Sequence, residues 1–263
     1  MTTRPEYHRR MSDGEPLRPL PLRLAVLAYG WGAYFLFVKV MVYFVGFSGN
    51  FMVAKTVDSG PAGPWPAAAA IDTALLVLFF IPHSVMARQR FKDAVYARLP
   101  APLERSTYVL IASVAMAIVI AAWRPIPGLW WETEGTSAAI VLRSISVAGF
   151  TLALAGSFSQ GHRTLFGLAP AWRYLRGRAK EPPQLRTKWL YARLRHPMNL
   201  GFLIGVAVSP RMSSGHVLLT AAMAVYVAIG TRYEERDLLA RHGLIYDAYR
   251  KSVPIVGVSA RRR

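Results

Sequence analysis

The sequence predicts an all-α, polytopic membrane bundle of about six transmembrane helices, with five as the alternative. Three observations carry this. The 263 residues are 53% hydrophobic and only 17% charged, with a mean hydropathy of +0.27, against roughly 25% charged residues in soluble domains. The apolar residues fall into runs near the ~20 residues a bilayer crossing requires. The cations gather between those runs in an alternating pattern.

Four runs are plain: residues 24–47, 66–85, 106–123 and 137–158. The last apolar region, "NLGFLIGVAVSP", "RMSSG" and "HVLLTAAMAVYVAIGTRY", reads as one kinked span or as a hairpin of two. Cation counting favours the hairpin. Five cations precede the first run, then Lys55 alone, five more, Arg124 alone, nine in the fourth connection, Arg211 alone, and eight after the last run. Five spans would strand the eight-cation C-terminal segment outside; six leave both termini cytosolic. The lengths fit unevenly, because Pro197–Pro210 rises only about 20 Å as helix.

The net charge of +18 follows from this flanking pattern rather than from a nucleic-acid surface, and we expect no nucleic-acid partner. With no cysteine, disulfides, thiolate metal sites and a Cys nucleophile are excluded, and no metal site is expected. Residues 1–20 are polar and lack the apolar core of a signal peptide. They read as a disordered cytosolic tail, 21–256 as one membrane domain, and 257–263 as a basic tail.

Six spans bring two charge clusters to one membrane face, because helices joined by a short loop pack as antiparallel neighbours. In "RLRHPMN" Pro197 suits the first helical position, which puts His196 at the N-cap and Arg195 beside it. Free N–H groups and a guanidinium there suit an anion; an interfacial Arg and a capping His are the equal alternative. In "RYEERD" Glu234 and Glu235 point about 100° apart on a helix. They suit a cationic ligand group or ion pairs with neighbouring cations. Gly201-x-x-x-Gly205 reads first as close helix packing. His162, at the cytosolic end of the fourth run, is a candidate base or a plain interfacial histidine. Asp72, His83, Arg143 and Lys39 are the in-span ionisable residues. Asp72 and Arg143 are expected near opposite ends of their helices and so unpaired; a helix-end cap explains His83.

"LRHPMNLGFLIG" followed by "EERDLLARHGLIYDAYRKSVP", with Tyr246, Tyr249, Val253 and Pro254, resembles the C-terminal signature of the isoprenylcysteine carboxyl methyltransferase superfamily. "GFSGNFMVAKTVDSG", "HSVMARQRFK", "WRPIPG" and "LFGLAPAWRYLRGR" look like its bacterial methanethiol S-methyltransferase branch, over residues 28–256. The resemblance implies an integral bacterial inner-membrane enzyme whose cytosolic loops form the site for S-adenosyl-L-methionine. It implies a small thiol, methanethiol, as substrate and membrane lipid as surroundings. The implied cofactor pocket takes in Arg195, His196, Pro197, Asn199, Gly201, Glu234 and Glu235. His162 is then the candidate base for the thiol, and Arg163 a stabiliser of its anion. The chain departs from the branch at Thr164, where an acid is usual, and at Asn199, where an aromatic residue or Met is common. A lipophilic or carboxylate acceptor, or a haem-binding non-methyltransferase relative, are the alternatives.

Overall fold

A computed structural model describes residues 18–61, 63–95, 99–178, 181 and 184–255. The predicted tails lie outside these residues, the first over 1–17 and the second over all of 257–263. The elements are helices, apart from one two-stranded ribbon, among the described residues. Helix α1 spans Leu20–Gly49, α2 Trp65–Ala87, α3 Gln89–Ala94 and α4 Glu104–Ala122. Strand β1, Leu129–Glu132, precedes α5, Ser137–Gln160. Two short helices follow, α6 at His162–Leu165 and α7 at Leu168–Leu175. Then come α8, Pro197–Ala207; β2, Arg211–Ser213; α9, Ser214–His242; and α10, Leu244–Ser252.

Local sequence sets most boundaries. Proline in the first turn opens α1, α2 and α8, where its missing N–H costs no intrahelical bond. Ser213 accepts the His216 N–H at the start of α9. Gly161, at φ 98°, ends α5 in a left-handed turn that reverses the chain into α6.

Five described helices are long and apolar enough to cross a bilayer: α1, α2, α4 with its preceding 3-10 turn, α5 and α9. Their faces carry exposed Phe35, Val42, Ile81, Ile140, Phe158 and Val225, a surface that lipid satisfies and water would not. The sixth predicted span is shorter than a crossing. Helix α8 has eleven residues, a rise of about 16 Å. Val208 already has extended dihedrals, and the chain runs into β2, whose Ser213, Met212 and Arg211 pair with Leu129, Trp131 and Glu132 of β1. Helix α8 still folds back on α9 as the hairpin reading expects, but the described helices long enough to cross number five, the alternative count.

That ribbon marks one end of the bundle. The Ser213 hydroxyl and the Arg211 guanidinium both reach Asp58, and Arg211 also pairs with Glu132. Asp72 accepts the Arg124 N–H at 2.9 Å, and Arg143 forks onto Glu134 at 2.7 and 2.8 Å. These two residues therefore sit at the same end, not at opposite ends as expected, and stay apart because each has its own partner. At the other end Arg23 donates to the Leu175 carbonyl, Arg105 to that of Leu165, and the Arg195 N–H to that of Pro254. The first and last described residues thus share one end. His83 hydrogen-bonds the Tyr108 hydroxyl at 2.9 Å, so a side-chain partner rather than capping explains it.

The core runs along α1, α2, α4 and α9 through Phe44, Phe47, Phe79, Val119, Trp123, Leu219 and Met223. Helix α8 is held against α5 by glycine. A Cβ on Gly201 would lie 2.6 Å from the Gly149 carbonyl oxygen and clash with the Ala153 nitrogen. Gly201 therefore serves backbone-to-backbone packing, which fixes where α8 begins.

Candidate functional site

Both predicted clusters sit at the end opposite the ribbon. Pro197 is the first residue of α8, which leaves His196 at the N-cap and almost fully buried. Helix α9 continues past its apolar stretch to His242, so Glu234 and Glu235 ride on its polar extension facing α8. The Arg195 guanidinium donates to Glu235 Oε1 at 2.5 Å. His196 Nε2 lies 3.1 Å from the same oxygen, and Nδ1 lies 3.3 Å from Glu234 Oε2. Carboxylate oxygens only accept, so the ring nitrogen that bonds Glu235 carries a proton. Burial alone would lower the His196 pKa, but the hydrogen bonds and charges of Glu234 and then Glu235 outweigh it, and the net shift is upward. The cluster sets a guanidinium and an imidazole against two carboxylates.

Helix α10 folds back beneath it. Tyr246 is buried, and Tyr249 donates to the Tyr191 carbonyl at 2.7 Å. Burial raises all three phenols at this end, Tyr191, Tyr246 and Tyr249, the last to about 12, so they remain neutral donors. Arg195 Nε and the Tyr246 hydroxyl are both buried, and the hydroxyl interacts with the Arg195 side chain. One turn further along α8, the Asn199 amide donates to Thr231 on α9 at 3.2 Å.

His162 forms a second site of opposite character. Its Nδ1 lies 2.7 Å from the Ser157 hydroxyl, which donates its single proton to the Leu154 carbonyl at 2.6 Å. Nδ1 therefore carries the hydrogen and gives it to Ser157. Nε2 is left as an acceptor for the Tyr34 hydroxyl at 2.8 Å. The rings of Phe158, Phe166 and Tyr34 surround the imidazole at 4.4, 4.7 and 5.6 Å between centroids. Burial lowers its pKa, so the ring is neutral.

The two sites flank the C-terminal end of α5. Gly156 packs on Met198 of α8, Ser157 holds His162, and Gln160 accepts from the Tyr191 hydroxyl at 3.2 Å. The fold thus unites Arg195, His196, Glu234 and Glu235, with Pro197 setting their level and Asn199 one turn away. Gly201 faces α5 instead. His162 makes no bond to the charged cluster, and Arg163 lines a separate groove beside Trp31 and Trp172, away from the bonds that hold His162. Tyr34, Ser157 and Tyr191 went unnoticed in the sequence. Tyr34 lies 128 positions from His162, and only a polar tip inside the aromatic run "AYFLF" marked it.

Among the described residues no group of three or more His, Cys, Asp or Glu is arranged to hold a metal. The charged cluster does suit a zwitterion. Its guanidinium and imidazole match a carboxylate and its two carboxylates an ammonium or hydroxyl groups. Glu234, 45% exposed, leaves one flank open to solvent.

The family model described as "NnrU protein" matches residues 73–247. Methanethiol S-methyltransferase 1 of Bradyrhizobium diazoefficiens is 38% identical over 87% of this chain and 80% of its own length. The methanethiol S-methyltransferase of Pseudomonas deceptionensis is 39% identical over 81% and 82%, and that of Mycobacterium tuberculosis 35% identical over 89% and 96%. Human nurim is 30% identical over 64% and 67%. No solved structure matches the chain. The matched span covers α8, the Glu pair and most of the bundle, and by it the chain belongs to the NnrU family, whose relatives here include methyltransferases named for methanethiol.

Proposed function

We propose that this protein is an integral membrane S-adenosyl-L-methionine-dependent methyltransferase that converts methanethiol to dimethyl sulfide. The observation that carries the reading is the Arg195–His196–Glu234–Glu235 cluster around the buried His196, in a chain matched along most of its length by relatives named methanethiol S-methyltransferase. The cation-rich end that holds the cluster is read as the cytosolic face of a bacterial inner membrane, with both termini on it.

S-adenosyl-L-methionine supplies an electrophilic methyl group on a sulfonium. Arg195 and His196 would hold its carboxylate, and Glu235 with Glu234 its ammonium or ribose hydroxyls. A zwitterion inserted between these pairs exchanges one set of ion pairs for another. No buried charge is then left alone, which would otherwise cost several kcal/mol, on the order of 3–5.

The acceptor must lose a proton, since a thiol is mostly protonated near neutrality. His162 is the base. It is neutral, its Nε2 lone pair is already turned toward a hydroxyl hydrogen, and its aromatic shell keeps water out. The thiol proton would pass to the Tyr34 oxygen as the Tyr34 proton passes to His162 Nε2. The imidazolium so formed keeps its Nδ1–H on Ser157. Arg163 is exposed and lines the neighbouring groove.

Purified protein supplied with methyl-labelled S-adenosyl-L-methionine and methanethiol should release labelled dimethyl sulfide into the headspace. Absence of product at saturating concentrations of both sinks the reading. Calorimetry of S-adenosylhomocysteine should show binding that His196→Ala and Glu235→Ala abolish.

A further inference from the structure

The groove that holds Arg163 has no role in the chemistry above. It encloses about 410 Å³ between the first half of α1 and helix α7, within the ~300–1,000 Å³ range of small-molecule sites. Its lining combines the cations Arg163, Arg173, Arg176 and Arg178 with the apolar Leu27, Trp31 and Trp172. Arg173 is engaged by Glu181, and the Arg176 guanidinium lies over the Trp172 ring at 4.8 Å. No described carboxylate pairs with Arg163, Arg176 or Arg178. The walls are fixed to each other. Arg23 bonds the Leu175 carbonyl at 2.7 Å, and Gly30 sits against Ala171, whose Cβ lies 3.1 Å from where a Cβ on Gly30 would be.

Cations at this end of the bundle are expected wherever loops meet the inner face. Three arginines with no carboxylate partner among the described residues, lining one concavity with an indole from α1 and another from α7, are not. Tryptophan favours the depth of the lipid headgroups, and guanidinium forks onto phosphate in a bidentate fashion. Below the groove α1 exposes Trp31, Phe35, Val38 and Val42, spaced four, three and four apart and therefore along one face. A cationic pocket thus opens onto an apolar track running into the bilayer.

We propose that this groove is a specific binding site for an anionic phospholipid. Its phosphate is held by Arg163, Arg176 and Arg178, its glycerol region lies between Trp31 and Trp172, and its acyl chains follow the exposed face of α1. The ligand ties α7 and the chain that follows it to the membrane surface. The inference stands on the groove alone and is independent of the methyl acceptor.

Native mass spectrometry of the full-length protein, supplied with equal phosphatidylglycerol and phosphatidylcholine, tests it. Phosphatidylglycerol should be retained preferentially, and the triple variant R163Q/R176Q/R178Q should lose that preference. At about 1 kcal/mol per basic residue near an anionic surface, the loss is on the order of a hundredfold. A control variant, R232Q/R241Q, removes two cations from α9 and should keep it. Equal loss in both variants, retention in the triple variant, or displacement by millimolar inorganic phosphate each overturns the proposal. A photoactivatable phosphatidylglycerol analogue gives a second readout that needs no variant. Adducts should map to α1 and α7, and adducts confined to other helices reject the site.

Discussion

His196 and His162 lie at either side of the end of α5, are 6% and 7% exposed, and differ in nearly everything else. Burial disfavours the charged form of both. At His196 two carboxylates reverse that, because a nearby anion stabilises the imidazolium by more than desolvation costs. At His162 the partners are two hydroxyls in a shell of aromatic rings, and nothing opposes desolvation. One ring is pushed toward its cationic form and the other toward a neutral acceptor. A zwitterionic cofactor and a neutral thiol need those two opposite environments.

The largest test of this contrast is Glu235→Ala. It removes the acceptor shared by Arg195 and His196 and leaves a nearly buried guanidinium unpaired. We expect a stability loss of about 3–5 kcal/mol, read as a fall in melting temperature in detergent, together with lost S-adenosylhomocysteine binding. A variant as stable as the parent would show that the cluster is not a buried network.

His162→Ala should act on the other limb alone. Thiol methylation should fall on the order of 10²–10⁴-fold, while calorimetric binding of S-adenosylhomocysteine stays essentially unchanged. Tyr34→Phe should lower the rate by a smaller factor and leave Nε2 without its donor, at a cost of about 1–3 kcal/mol. A binding loss equal to the rate loss in His162→Ala would merge the two sites into one.

Gly201→Ala should disturb both. The added methyl meets the α5 backbone, and overpacking of this kind costs about 1–3 kcal/mol. It also moves α8, which carries the charged site, relative to α5, which anchors the neutral one. Cofactor binding and turnover should weaken together.

The smallest effect is the pH dependence of stability, and its sign differs between the two. The folded pKa of His196 is raised, so its contribution is complete below the ordinary value of 6.5 and fades as pH rises through the raised value. That of His162 is lowered, so its contribution is complete above 6.5 and fades as pH falls through the lowered value. His196→Gln should flatten the alkaline limb of a melting-temperature profile and His162→Gln the acid limb. The same limb lost in both would refute the assignment.

Much of this was legible in the chain. The four early spans were read within a few residues of α1, α2, α4 and α5, and Pro197 as the start of α8. Arg195, His196, Glu234 and Glu235 were expected to meet because a short turn makes neighbours of the helices that carry them. Which partner each would take was not legible. The sequence left Arg195 and His196 free for an anion, whereas the fold closes them onto the Glu pair.

Sequence alone determined what depends on runs of residues: apolar length against bilayer thickness, proline at helix starts, and the alternation of cations that brings both ends of the bundle's chain to one side. Tertiary structure decided what depends on contacts between distant residues. The β1–β2 ribbon shortens α8, because extended backbone there gains partners from a segment some eighty residues away. Tyr34 meets His162 across 128 positions, and Arg163 stays exposed along the groove lined by Trp31 and Trp172 although its neighbour His162 is buried. Successive helical side chains diverge by about 100°, and only packing decides what each of them faces.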